Sequence, residues 1–339
     1  MTAPGLDYTV AAVIWLAVIA YAVLAGADFG GGVWDLLGIG PRGDSQRRAV
    51  SRAMGPVWEA NHVWLIFAIT GLFTGFPRVF AVLATRLYLP FSLILLGIVF
   101  RGAAFAFRAH AVEAAGIRTA LGRVFGIASA VTPFLLGACA GAVASGRVSE
   151  TSAFTGLDSV SPWTTPFALV CGALALAICA GLAAAYLAVE ESALGETRLA
   201  EDFRTRALGA GAAAGVLAVA ALPLTSTYAP GLFSGLTGRA LPVTAIAFLL
   251  AVGAGFFMYT RRYRLARFAI VGQIAAILGG WAIAQAPYIL PPSMTVEGTA
   301  SPVETMVLLL WVTGLGGLLL VPSLALLFHV FKGRNPAVT

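Results

Sequence analysis

The chain has 339 residues, of which 59% are hydrophobic and only 11% charged, and its mean hydropathy is +0.91. Soluble domains carry about 25% charged residues, so this composition excludes a soluble globular protein and indicates a polytopic membrane protein. The net charge of +6 does not indicate nucleic acid, because the basic residues punctuate apolar runs and Lys332 is the only lysine.

Apolar runs of roughly 18–25 residues read as membrane spans, and in lipid a lone segment satisfies its backbone only as a helix. Nine are expected, at 8–27, 56–76, 79–100, 122–144, 163–189, 207–225, 241–259, 265–286 and 304–330. No basic residue precedes Arg42, so the first run lacks the start of a cleavable signal and is expected to remain as a span. The expected class is all-α. A single integral membrane domain covers 1–339, with spans 1–4 (8–144) and 5–8 (163–286) as two four-helix bundles and span 9 (304–330) as a peripheral helix. No sequence repeat relates the halves.

Seventeen of the 21 basic residues fall in the tail and in the loops after spans 1, 3, 5 and 7. Arg78, Arg147 and Arg239 lie on the opposite side, and Arg86 falls within span 3. The positive-inside rule then puts the N-terminus outside and the C-terminus in the cytoplasm. Asp44–Arg52 reads as a short interfacial helix capped by Asp44. The Gly-, Pro-, Ser- and Thr-rich segments 145–162, 226–240 and 287–303 read as short outer loops.

In chain order, the first residue of chemical interest is Asp28, about 20 residues into span 1 and near the cytoplasmic face. It precedes Gly30-Gly31-Gly32, so the mouth of a proton path and the cap of a turn are both open to it. Next comes Gly55-Pro-Val-Trp-Glu-Ala-Asn-His-Val-Trp-Leu-Ile66, which places Glu59 and His62 on one helical face. An ionisable residue within a span costs roughly 2.5–3.5 kcal/mol on insertion scales and marks function by default. Glu59 therefore reads as a proton relay, against a structural carboxylate paired with Arg101, Arg52 or a neighbouring subunit. His62 extends that relay or is a hydrogen-bonded structural histidine. A transmembrane haem needs two facing histidines, and neither His110 nor His329 lies at its depth.

Gly71-x-x-x-Gly75 permits close helix packing. Arg101 and Arg108 share a face, suited to lipid headgroups, to an ion pair or to docking of anionic groups. Cys139, Cys171 and Cys179 lie in apolar runs without a CxxC motif and read as packing residues. Glu190 and Glu191 close span 5 and read as the start of a solvated loop. No P-loop, HExxH or nucleotide fingerprint is present.

Three segments resemble subunit II of the cytochrome bd quinol oxidases: Gly26-Ala-Asp-Phe-Gly-Gly-Gly32, Gly55-Pro-Val-Trp-Glu-Ala-Asn-His-Val-Trp-Leu65 and Phe100-Arg-Gly-Ala-Ala-Phe-Ala-Phe-Arg108. The Trp-Glu-Ala-Asn-His form is similar to the cyanide-insensitive branch. The resemblance implies a nine-helix subunit in the bacterial cell membrane, in a heterodimer that oxidises quinol and reduces oxygen to water. Haem b, haem d and the quinol site belong to subunit I, and this chain binds no cofactor or metal itself. It stabilises the complex and conducts protons from the cytoplasm. By motif position Asp28 and Glu59 match the acids of that path, with His62 beside them and Trp58 and Arg101 bordering it. Ala106 departs from the pattern, because many members carry an acid there. Subunit I, lipids and a small accessory subunit are the implied partners, with no nucleic acid. The alternative is a secondary transporter of a small cation or amino acid, which needs paired broken helices. Pro90, Pro133 and Pro166 form no such pair.

Overall fold

The computed structural model describes residues 5–54, 61–110, 115–149 and 160–332. Eight helices among them are long and apolar enough to cross a membrane. These are α1 (Leu6–Leu36), α5 (Tyr88–His110), α6 (Ala115–Ala144), α7 (Pro166–Ala193), α8 (Thr197–Tyr228), α10 (Leu241–Tyr259), α11 (Tyr263–Gln285) and α13 (Val303–Lys332). The chain is thus an all-α, multi-pass membrane protein. The shorter helices are α2 (Gly43–Met54), α3 (Val63–Gly75), α4 (Pro77–Arg86), α9 (Pro230–Thr237) and α12 (Val296–Thr299), of which α3 and α4 together are apolar enough to form a ninth, broken span. A small antiparallel ribbon pairs β1 (Tyr288–Leu290) with β2 (Met294–Thr295).

The expected third span, 79–100, is corrected. Helix α3 stops at Gly75, and α4 leaves it at 119°. Phe76 breaks the helix with φ −139° and ψ 62°, and Pro77 at the first position restarts it. Proline has no N–H to give a preceding turn, so it begins helices more readily than it continues them. The third span then runs over Tyr88–His110, which carries Arg101 from the expected helix edge into the helix body. Arg86 lies in the last turn of α4 and outside the third span.

Helix α1 also outruns its expected edge and continues to Leu36. Gly30 and Gly32 are not turn residues but points of close approach. A Cβ on Gly30 would stand 1.9 Å from the Cys179 carbonyl oxygen of α7, and one on Gly32 would stand 2.1 Å from Ser129 Oγ of α6. Only glycine lets α1 press against both helices. The capping role for Asp28 is therefore excluded, since helix continues for two turns beyond it. Near the other end, Cβ atoms on Gly71 and Gly75 would meet Ile14 at 3.0 Å and Val10 at 3.1 Å, so this pair seats α3 on α1.

Helix α7 opens with Thr165 Oγ1 accepting from Ala168 N at 3.2 Å, with Pro166 next. It closes on Gly195 at φ +79°, where Glu196 N bonds to Glu191 O at 2.9 Å and Gly195 N to Ser192 O at 3.3 Å. Glu190 and Glu191 thus belong to the helix and not to a solvated loop, and Glu191 is fully buried. The expected interfacial helix is present as α2. It buries Gln46, Ala49, Val50 and Met54 along one stripe and leaves Arg52 exposed. Asp44 lies inside its first turn and pairs with Arg47 at 2.9 Å, so it is not the cap.

Helix α1 packs against α2, α3, α6, α7, α11 and α13. Trp15 Nε1 donates to Leu278 O of α11 at 2.9 Å, and Trp34 Nε1 to Ala180 O of α7 at 2.8 Å. Helix α13 packs against α1 and α3 and exposes Leu308, Trp311, Leu318 and Leu319.

Candidate functional site

A polar cluster lies where α1, α5 and α6 meet the start of α3. Asp28 is buried, and Asn61 Nδ2 donates to its Oδ2 at 2.6 Å. Arg101 is 1% exposed. Its Nε donates to Ser129 Oγ at 3.0 Å, and its guanidinium carbon lies 4.8 Å from the Phe29 ring and 5.5 Å from the Phe125 ring. Asp28 and Tyr21 stand within Coulombic reach of that charge. A buried ion costs several kcal/mol unless charge, hydrogen bonds or aromatic faces compensate it, and here all three contribute. The helical register explains the meeting. Asp28 and Phe29 are adjacent on α1, and Gly32, one turn on, admits Ser129. Among the described residues, Nη1 and Nη2 of Arg101 and Oη of Tyr21 are buried without a hydrogen-bond partner. Such groups call for water or a partner chain.

His62 sits at the start of α3, with its ring 5.9 Å from Tyr21 and 6.3 Å from Phe29. Trp58 and Glu59 lie outside the described residues. The cluster thus unites Asp28, His62 and Arg101, and Asn61 and His62 adjoin the undescribed segment that holds Glu59.

A cleft of about 80 Å3 opens beside Asp28, between α1, α2 and α7, and Asn61, Tyr186 and Glu190 also line it. A cavity needs only about 10–15 Å3 per water, so several fit. Small-molecule sites span roughly 300–1,000 Å3. The cleft is smaller than that, and the His62 ring lies beside the Tyr21 and Phe29 rings. Among the described residues, no group of three His, Cys, Asp or Glu side chains stands close enough to hold a metal ion.

Ion pairs brace the arginine-rich end of the bundle. Arg108 Nη1 meets Asp35 Oδ2 at 2.7 Å, which resolves the Arg108 alternatives in favour of an ion pair. Arg52 Nη2 meets Glu191 Oε1 at 2.7 Å, so Arg52 already holds a carboxylate. Arg42 grips Asp202 with two bonds, 2.7 and 2.6 Å, and Gln46 Nε2 reaches the same carboxylate at 3.1 Å. The hydrogen bond to Asp202, and then that carboxylate's charge, hold the Arg42 guanidinium above its ordinary pKa. Asn61, Ser129 and Asp35 were not singled out from sequence, and Glu191 was named there only as the start of a solvated loop. Asn61 stood inside the Glu59–His62 motif, which was the signal for it; Ser129 offered none.

Fold and site together define a multi-pass helical membrane protein with a buried, charged centre. Residues 6–331 match the family described as cytochrome bd terminal oxidase subunit II, and the chain belongs to that family. Membership sets aside the transporter alternative. The chain is 27% identical over 293 residues to a putative cytochrome bd menaquinol oxidase subunit II of Bacillus subtilis, covering 84% of this chain and 83% of that protein. It is 30% identical over 211 residues to the cytochrome bd-I ubiquinol oxidase subunit 2 of Escherichia coli K12, covering 60% of this chain and 53% of that one. Its fold matches a chain of the bd oxidase from Geobacillus thermodenitrificans with a TM-score of 0.81, 23% identity and coverage of 97% and 99%.

Proposed function

We propose that this chain is the haem-free subunit of a quinol:oxygen oxidoreductase, where it stabilises a haem-bearing subunit I and lines a cytoplasmic proton-uptake path. The haems and the quinol site belong to subunit I in this reading. The arginine distribution supports an outside N-terminus and a cytoplasmic C-terminus. One membrane unit is proposed, with α1, α3, α5 and α6 as one group, α7, α8, α10 and α11 as the other, and α13 peripheral.

The observation that carries the proposal is the buried Asp28 carboxylate, held by Asn61 and lining a cleft large enough for water. A proton arriving through that water protonates Asp28 and passes on to Glu59 and His62. Arg101 supplies the compensating positive charge once Asp28 has released it. Asn61 orients the carboxylate, and Trp58 borders the route. Ala106 removes one acid from the family's pattern, which leaves more of the traffic to Asp28 and Glu59.

The test uses the intact complex carrying Asp28→Asn or Glu59→Gln. Positioned proton transfer is worth about 10²–10⁴-fold, so quinol-driven oxygen consumption should fall by at least about 10²-fold. The haem absorption spectrum should persist. Full turnover in Asp28→Asn would refute the path, and full turnover in Glu59→Gln alone would remove Glu59 from it.

A further inference from the structure

We propose that Glu190, near the end of α7, is the proton-collecting carboxylate of the Asp28 cleft. The proposal rests on the proton-path reading and extends it outward, from Asp28 to the surface. Asp28 and Glu190 line the same cavity, one from α1 and the other from α7.

On α7 the lining residues Ala183, Tyr186 and Glu190 follow a spacing of three and then four, which is one helical face. That face carries the cleft from the buried level of Ala183 to the half-buried Glu190 near the helix end. Consecutive helical residues point about 100° apart, so Glu190 and Glu191 face different neighbours. Glu191 turns inward and clamps Arg52 of α2. Glu190 turns to the cleft.

Helix α2 forms the roof. Met54 lies over Gly31, where a Cβ would stand 2.9 Å from its sulfur, and Ala53 lines the cleft beside it. Side-chain bonds hold this roof: Arg52 to Glu191 on α7, Gln46 to Asp202 on α8, and Arg206 of α8 to Gln46. The roof and walls are largely apolar, with Asp28 and Glu190 as the carboxylates among the lining residues. Glu190 takes a proton from bulk water, releases it to water in the cleft, and returns to the carboxylate as Asp28 is protonated. No redox change occurs in this chain.

The experiment uses the full complex in proteoliposomes and reads haem absorbance, quinol-driven oxygen consumption and proton uptake. Glu190→Gln should keep the haem spectrum and lose most of the turnover and uptake, and Glu190→Asp should restore both. A purely structural acid would not show rescue with an unchanged spectrum. Ala53→Leu narrows the same cleft from α2 and should also slow turnover. Wild-type turnover in Glu190→Gln, with Asp28→Asn inactive, overturns this proposal and leaves the path intact. Wild-type turnover in Asp28→Asn overturns the path and this proposal with it. Should Glu190→Gln fail to assemble, Ala53→Leu decides: slowed turnover supports the proposal, and an unaltered rate overturns it.

Discussion

Arg108 Nη1 donates to Asp35 Oδ2 at 2.7 Å and so fastens α5 to the last turn of α1. Asp35 is 3% exposed and the Arg108 side chain 18%. Removing one partner of a buried pair strands the other charge, at about 3–5 kcal/mol. Asp35→Ala should therefore lower the temperature at which the purified complex loses its haem absorbance. Replacing both charges, Asp35→Asn with Arg108→Gln, should recover much of that loss. Strictly additive single effects would show that the two side chains do not depend on each other.

Asn61→Leu tests the bond at the centre of the cluster. Hydrogen bonds to charged groups are worth about 1.5–3 kcal/mol, or roughly ten- to hundredfold in an equilibrium constant. Turnover should fall by about tenfold while the complex assembles with its normal spectrum. Steady-state oxygen consumption at the wild-type rate would mean that Asn61 does not position Asp28.

Arg101 is held by shape as well as charge, between Phe29 and Phe125 and on Ser129. Lysine has neither the planar face nor the fixed Nε donor. Arg101→Lys should destabilise the complex by about 1–3 kcal/mol, and Ser129→Ala, which leaves Nε unpaired, by a similar amount. Thermal denaturation gives the readout. A lysine variant that melts with the wild type would rule out stacking as the support.

The glycines of α1 make a contrasting pair with a glycine elsewhere. Gly30→Ala would drive a methyl group into the Cys179 carbonyl, and overpacking costs about 1–3 kcal/mol or more. Gly209→Ala on α8 meets nothing within 4 Å and should gain about 0.5–1 kcal/mol from helix propensity. The yields of assembled complex should rank Gly209→Ala at or above wild type, and Gly30→Ala well below it. Equal yields would show that α1 can shift away from α7 without cost.

Much of the fold was legible because hydropathy is summed along the chain. Helices α10 and α11 fall within two residues of their expected edges. Span 3 was misplaced because 77–86 is apolar enough to extend a run, and a 119° bend leaves no mark on hydropathy. Asp28 and Arg101 stood out as charges in apolar surroundings, yet Arg101 was set at a helix edge by that same misplaced frame. Glu191 looked solvated because it closes a run, and only its pairing with Arg52 explains its burial.

Composition alone determined that this chain is a multi-pass helical membrane protein, and three motifs carried its resemblance to subunit II of the bd oxidases. They also named the acids and the arginine worth attention, because a charge in lipid is costly wherever the helix turns. The tertiary structure alone decided which polar groups meet: Asp28 with Asn61, Asp35 with Arg108, Glu191 with Arg52. It also decided that Glu190 and Asp28 border one cleft. Those choices depend on how each helix rotates and how near glycine lets it approach its neighbours, and that geometry is set between segments far apart in the chain.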